Sequence, residues 1–363
     1  MSARALAASA RGFAPRVSAS QARHVATRTL FWIGMYGAAL VIFGVFVSTR
    51  GVDPLEMYRT MYESTFQGSY GPGQVLNRTA PFLLAGMAVA VPARAGLINI
   101  GGEGQIVIGA TAAGGVALAL GDHLAGLGGI AIMAGAAAVA GALWAGIAAL
   151  LKLAGGVDEA ISTLLLNYVG ADVLSYLVYG PWKDASGTGQ PVGKPLPAGD
   201  SLPALGFLNA NIGIVLALAA AGLIALVLWR TKWGFALRCV GGNREAARRA
   251  GLSVTVLLLS AMLVGGALAG LAGMIQFSGA EGQLRPGIAA TFGYTGFLAS
   301  WLARHQPGKV ILAALLLASL AVAGDSLQIS SHLPGSVVNV LVAIVLLAVL
   351  SRRYVAARKV KAA

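Results

Sequence analysis

Uncharged apolar runs recur along the chain at lengths that match a bilayer. A hydrocarbon core of about 30 Å takes about 20 apolar residues per helix, and stretches free of Asp, Glu, Lys and Arg cover residues 29–49, 123–151, 201–229, 250–280 and 326–351. Each predicts one crossing. Residues 79–121 hold only Arg94 and Glu103, which leaves room for two spans with a turn near Arg94, and 160–182 carries the single acid Asp172. Two shorter runs, 286–303 and 310–324, bring the expectation to about ten transmembrane helices. The segment 51–78 mixes Asp53, Glu56, Arg59 and Glu63 with Leu55, Met57, Tyr58, Met61, Tyr62 and Phe66, which suits a helix lying in the membrane interface. The Pro- and Gly-rich stretch 181–202 reads as an irregular loop. The fold class expected is all-α, a polytopic integral membrane protein.

Composition agrees and narrows the reading. Of 363 residues, 57% are apolar and 11% charged, against about 25% charged in soluble domains, which excludes an ordinary water-soluble enzyme. The net charge of +13 would point to nucleic acid if the basic residues formed a stripe on a soluble fold. They lie between apolar runs instead, so the expected surroundings are membrane lipid and no nucleic acid. Ten crossings put both termini on one side, and twenty of the 26 basic residues fall on that side. The positive-inside rule then makes the tails 1–28 and 352–363 cytoplasmic and 29–351 a transmembrane domain, expected in the inner (plasma) membrane. The acid-free tail with Arg4, Arg11, Arg16, Arg23 and Arg28 also has the composition of a transit peptide, although a basic cytoplasmic tail explains the same residues. The lone Cys239 cannot form an internal disulfide.

Catalytic signatures are missing. Neither Gly-Lys pair, Gly193-Lys194 or Gly308-Lys309, has the glycine spacing or the following Ser/Thr of a Walker A loop. His24, His123, His305 and His332 are dispersed, so no metal site is expected, and no GxSxG elbow occurs. No enzymatic activity and no cofactor of its own are expected.

Three local sequences carry the functional signal. In Gly96-Leu-Ile-Asn-Ile-Gly-Gly-Glu-Gly-Gln105, a span starting near Gly96 places Glu103 about 10 Å below the surface at 1.5 Å per residue. A carboxylate at that depth faces water or a partner, and the four glycines weaken the helix around it where backbone lines a cavity or is buried in protein. Asn99, Glu103 and Gln105 therefore line a translocation path or support its broken helix; a pairing of Glu103 with Arg94 is the plainer alternative. In 158–168, Thr163 and Asn167 share a helical face with Gly170, a polar stripe that either lines a pore or glues helices. Asp172 lies off the stripe, near the path or near water.

The third sequence is cytoplasmic, within the loop 231–252. Asn243 suits an N-cap, Glu245 sits in the first turn where the macrodipole favours an anion, Arg248 and Arg249 lie near the end, and Gly251 supplies the C-cap. A helix of two turns is marginal alone in water, so it is expected to dock on something; a plain basic loop is the other reading.

Together with Asp158-Glu-Ala-Ile-Ser-Thr-Leu-Leu-Leu-Asn-Tyr168 and Gly242-Asn-Arg-Glu-Ala-Ala-Arg-Arg-Ala-Gly-Leu252, the Gly96–Gln105 phrase resembles the inner-membrane permeases of ATP-binding-cassette importers for nucleosides and simple sugars, in the branched-chain amino acid/ribose-type permease superfamily. The three motifs occur in the expected order from about residue 30 onward. The resemblance implies that Asn243, Glu245, Ala246, Ala247 and Gly251 belong to a coupling helix seated in a separate ATPase subunit, which binds the ATP. It also implies a second permease subunit, often a paralogous chain, an external solute-binding protein, and two inverted halves (spans two to five and seven to ten), with a partial echo of Gly102-Glu-Gly-Gln105 at Ala280-Glu-Gly-Gln283. Family members more often carry Pro at Arg244 and Tyr at Arg249. The function expected is a permease subunit for a nucleoside or simple sugar. A self-sufficient secondary transporter or channel is the alternative, weakened because only Glu103 and Asp172 lie within the spans; a non-transporting scaffold would leave the capped helix without a purpose.

Overall fold

A computed structural model describes residues 34, 37–68, 70–121, 126–186, 189–206, 208–330, 334, 337–344 and 347. The chain divides into two compact units. One comprises residues 1–55 with 339–363 and the other 56–338. The described part of the first contains helix α1 (Gly37–Ser48), and both basic tails lie outside the described residues.

The second unit holds almost all of the remaining structure. Helix α2 (Pro54–Phe66) is amphipathic and separate, with Met57 and Met61 buried and Tyr62 and Phe66 exposed, as the mixed composition of 51–78 led one to expect for its first half. The rest of that segment opens the first long span, α3 (Tyr70–Arg94). After an irregular segment, 95–101, come α4 (Gly102–Leu120), α5 (Leu127–Gly155) and α6 (Glu159–Tyr179). Among the described residues of the loop 181–202 there are an isolated antiparallel bridge between Lys183 and Gly193 and a 3-10 turn at Ala198–Asp200, and a small antiparallel hairpin, β1 (Ala204–Leu205) with β2 (Ala210–Asn211), follows it. Then come α7 (Gly213–Arg230), α8 (Lys232–Gly242), α9 (Arg244–Arg249) and α10 (Val254–Gln276). A π-turn at Phe277–Glu281 leads through an irregular stretch to α11 (Phe292–Leu302) and α12 (Pro307–Ser330).

The count of about ten spans is corrected. Among the described residues, seven helices are long and apolar enough to cross a membrane. The run 286–303 forms only the 11-residue α11, about 16 Å long at 1.5 Å per residue, because its first third, 286–291, is non-helical. The runs 29–49 and 326–351 fall partly outside the described residues. Boundaries also moved. Arg78 and Asp325 ended two uncharged runs, yet the pair forms an ion pair and both α3 and α12 continue through it.

Small residues bring the central helices together. Helix α10 packs against α5, α4 and α3, and a Cβ added at Gly266 or Gly270 would overlap the backbone of Gly141 or Ala137 on α5. One added at Gly273 would overlap the Ile106 carbonyl on α4. Without a hydrophobic driving force in lipid, such close approach is how spans gain van der Waals contact.

Candidate translocation and coupling site

The chain does not start a helix at Gly96. After α3, the Gly96 backbone turns at φ +70°, and residues 95–101 run back into the bundle without regular structure. The depth follows from one contact. The Asn99 amide donates to the carbonyl of Ala88 at 3.2 Å, and Ala88 lies six residues before Arg94, so the segment climbs about 9 Å into the span.

A helix that begins inside a membrane exposes unpaired N–H groups, and here side chains supply the partners. Asn99 and Gln105, both essentially inaccessible, exchange two amide hydrogen bonds of 3.0 Å each, and the Gly101 N–H donates to Asn99 Oδ1 at 3.0 Å. From α6, Thr163 Oγ1 accepts the Ile100 N–H at 3.2 Å. Asn167 accepts the Gly104 N–H at 2.8 Å and donates to the Ile100 carbonyl at 3.0 Å. Gly170 completes the stripe against the Gly104 backbone. Thr163, Asn167 and Gly170 thus hold the broken helix.

Glu103 sits in the first turn of α4 rather than two turns into a helix, and its partner is not Arg94. Its carboxylate accepts the Thr291 N–H at 2.6 Å and the Gly293 N–H at 2.8 Å, capping the start of α11. The two helix beginnings abut so closely that a Cβ at Gly293 would overlap the Glu103 backbone. Thr291 is held at φ +72°, a left-handed conformation strained for a β-branched residue. The order long helix, irregular segment, shorter helix therefore occurs twice, at α3 to α4 and at α10 to α11. The Ala280–Gln283 echo is not the counterpart of the Glu103 tract: Glu281 ends the π-turn after α10, accepting from Gln276 at 3.1 Å and from Arg285.

Asp172 lies apart from this network. It is exposed on the face of α6 that also presents Tyr168, Val169 and Tyr176, one turn from each tyrosine. The composition of 160–182 gave no way to decide its side; the helix now separates the inward stripe from this outward face.

The short helix α9 is capped at both ends. Asn243 Oδ1 accepts the Ala246 N–H at 3.0 Å. At the other end Ala250 is the C-cap, and Gly251 follows it at φ +83°. The Gly251 and Leu252 N–H groups return to the carbonyls of Arg248 and Ala247, a Schellman closure. Glu245, Ala246, Arg248 and Arg249 are exposed, whereas Ala247 is turned inward. Arg244 donates to the Gly96 carbonyl at 3.0 Å, and Gly241 packs on the backbone of Arg94 and Gly96, so the end of α8 and the start of α9 rest on the root of the re-entrant segment.

Sequence reasoning missed Thr291, Gly293 and Glu159. Buried Glu159 pairs with Lys152 and accepts the Ile98 N–H at 3.3 Å. Its signal was the spacing of Lys152 and Glu159 across a Gly-Gly turn. Thr291 and Gly293 contribute backbone only and left none.

A family model described as the permease component of the branched-chain amino acid transport system matches residues 71–350. The chain belongs to that family. The permease is 36% identical over 329 residues to the glucose ABC transporter permease protein TsgB13 of Haloferax volcanii, over 87% of this chain and 86% of the relative. It is 31% identical over 326 residues to the guanosine ABC transporter permease protein NupP of Bacillus subtilis, over 88% and 90%. With the nucleoside ABC transporter permease protein NupB of Lactococcus lactis it shares 26% identity over 322 residues, 84% and 87% of the two chains. No solved structure matches the permease.

Proposed function

We propose that this permease forms the translocation path of an ATP-driven importer and works by alternating access. The observation that carries the reading is the hydrogen bond from Arg244, at the start of the capped helix α9, to Gly96, at the root of the re-entrant segment. A separate ATPase subunit that binds and hydrolyses ATP grips the exposed face of α9, formed by Glu245, Ala246, Arg248 and Arg249. Its movement passes through Arg244 to residues 95–101 and so to the Glu103 contact with α11. A hinge whose parts are joined by a few polar bonds suits such a role, since packed cores switch between discrete arrangements rather than deform.

The solute is a nucleoside, with a simple sugar as the second choice. Relatives named for guanosine, nucleosides and glucose support a hydroxyl-rich ring as cargo. The outward face of α6 offers it a carboxylate, Asp172, between the aromatic rings of Tyr168 and Tyr176. A second permease subunit faces that surface, an external solute-binding protein delivers the cargo, and α9 with both tails lies in the cytoplasm, in accord with the distribution of basic residues.

The test is recovery of the permease from membranes in mild detergent. A Walker-motif ATPase accompanies the native chain and is lost from Glu245→Lys/Ala246→Trp, which alters the exposed face and spares buried Ala247. Solute accumulation by this chain alone in vesicles without nucleotide overturns the reading.

A further inference from the structure

On the side of the bundle that carries α9, the end of α7, the start of α12 and helix α8 enclose an open cavity of about 700 Å³, within the roughly 300–1,000 Å³ range of ligand sites. Its lining has two characters. Leu228, Trp229 and Pro307 make an apolar wall, and Arg94, Arg238 and Lys309 bring three cations to the same space with no acidic residue among the lining groups. None of the three forms an ion pair among the described residues. Arg238 donates to the Leu228 carbonyl at 2.5 Å and Arg94 to the His305 carbonyl at 2.9 Å, while the buried Nε of Arg94 has no partner.

Three like charges gathered without a counter-charge repel one another, and an anion between them removes that repulsion. The position of the cavity selects the kind of anion. Trp229 is 74% exposed with the Arg230 guanidinium 4.8 Å over its ring, the placement of an aromatic residue at a membrane boundary. One turn above Trp229 lies exposed Leu226, and one turn above Lys309 lies Leu312, 67% exposed. Cations at headgroup level directly below outward apolar side chains match a phosphate with acyl chains attached, and basic pockets between spans at this level bind anionic lipid headgroups.

We propose that this cavity is a binding site for the phosphate headgroup of an anionic phospholipid, held by Arg94, Arg238 and Lys309, with the acyl chains along Leu226 and Leu312. Only the identity of the leaflet, cytoplasmic, rests on the orientation proposed above. The test is native mass spectrometry of the full-length permease, delipidated in mild detergent and titrated with phosphatidylglycerol or phosphatidylcholine. Phosphatidylglycerol is expected to bind and phosphatidylcholine to wash off. Arg238→Gln/Lys309→Gln is expected to weaken phosphatidylglycerol roughly thirtyfold, two cationic contacts being lost, and Lys309→Gln alone, at an exposed side chain, to weaken it severalfold. Millimolar inorganic phosphate should not displace the lipid. Equal retention of the two lipids, unchanged retention by either variant, or displacement by inorganic phosphate overturns the proposal, the last by making this a soluble-anion site. ATPase recovery is scored on the same preparations, so failure of the lipid site is read separately from failure of the coupling reading.

Discussion

Removing the Glu103 carboxylate should loosen the start of α11 without dismantling the rest of the bundle. The carboxylate accepts two backbone N–H groups, from Thr291 at 2.6 Å and from Gly293 at 2.8 Å. A hydrogen bond to a charged group contributes about 1.5–3 kcal/mol, so Glu103→Ala loses about 3–6 kcal/mol, reduced to the extent that water reaches the exposed Thr291. Glu103→Gln keeps one neutral acceptor but turns an amide NH2 toward the second N–H, donor against donor. It also gives up the favourable placement of an anion at a helix N-terminus, worth about 0.3–1 kcal/mol. A net loss of about 2–3 kcal/mol corresponds to a roughly 30- to 140-fold increase in local opening. Hydrogen exchange of residues 289–295 in detergent or nanodiscs reads this directly. Exchange should quicken in the order native, Gln, Ala, while the middle of α10 stays protected. Native-rate exchange at both Thr291 and Gly293 in Glu103→Gln would refute the capping argument, because the single amide oxygen cannot replace both carboxylate acceptors.

Other substitutions probe the remaining links. Asn243→Ala removes the cap on the Ala246 N–H, about 1 kcal/mol, and should reduce ATPase recovery severalfold in a pull-down, with Asn243→Ser restoring it. Gly270→Val drives a branched side chain into the Ala137 backbone and should cost about 3 kcal/mol or more in thermal unfolding, whereas Gly222→Val, where a Cβ meets nothing within 4 Å, should unfold near the native temperature. Asp172→Leu, at an exposed side chain, should leave both unfolding and ATPase recovery unchanged while abolishing solute uptake; uptake at the native rate would remove Asp172 from the path.

What the sequence revealed and what it hid follow from how each interaction is encoded. Helical spans were legible as uncharged runs because lipid excludes unpaired charge, and the cap of α9 was legible because Asn243, Glu245 and Gly251 act within a few residues of one another. The same charge rule misplaced ends wherever charges pair between distant elements. Arg78 and Asp325, 247 positions apart, each broke a run that the folded chain continues. The run 286–303 has the composition of a span although only 292–302 is helical, because apolar composition does not report where backbone leaves the helix. Glu103 stood out as an acid at depth, but its partners are two peptide N–H groups, and no side chain at 291 or 293 announces them. On α6 the spacing of Thr163, Asn167 and Gly170 gave the face, and only the folded chain shows what that face meets, the backbone of Ile100 and Gly104.

The glycine contacts between α10 and its neighbours restrict how this bundle can change shape. Where main chain rests on main chain there is no compressible layer of side chains to absorb sliding, and turning one helix by a single residue's angle drives a methyl or larger group into the adjoining peptide. Helices α4, α5 and α10 consequently travel as one block. The start of α11 is tied to that block by Gly293 against the Glu103 backbone, which leaves the 95–101 segment, held by individually breakable polar bonds, as the part free to swing against a rigid neighbour, much as a latch swings against its frame.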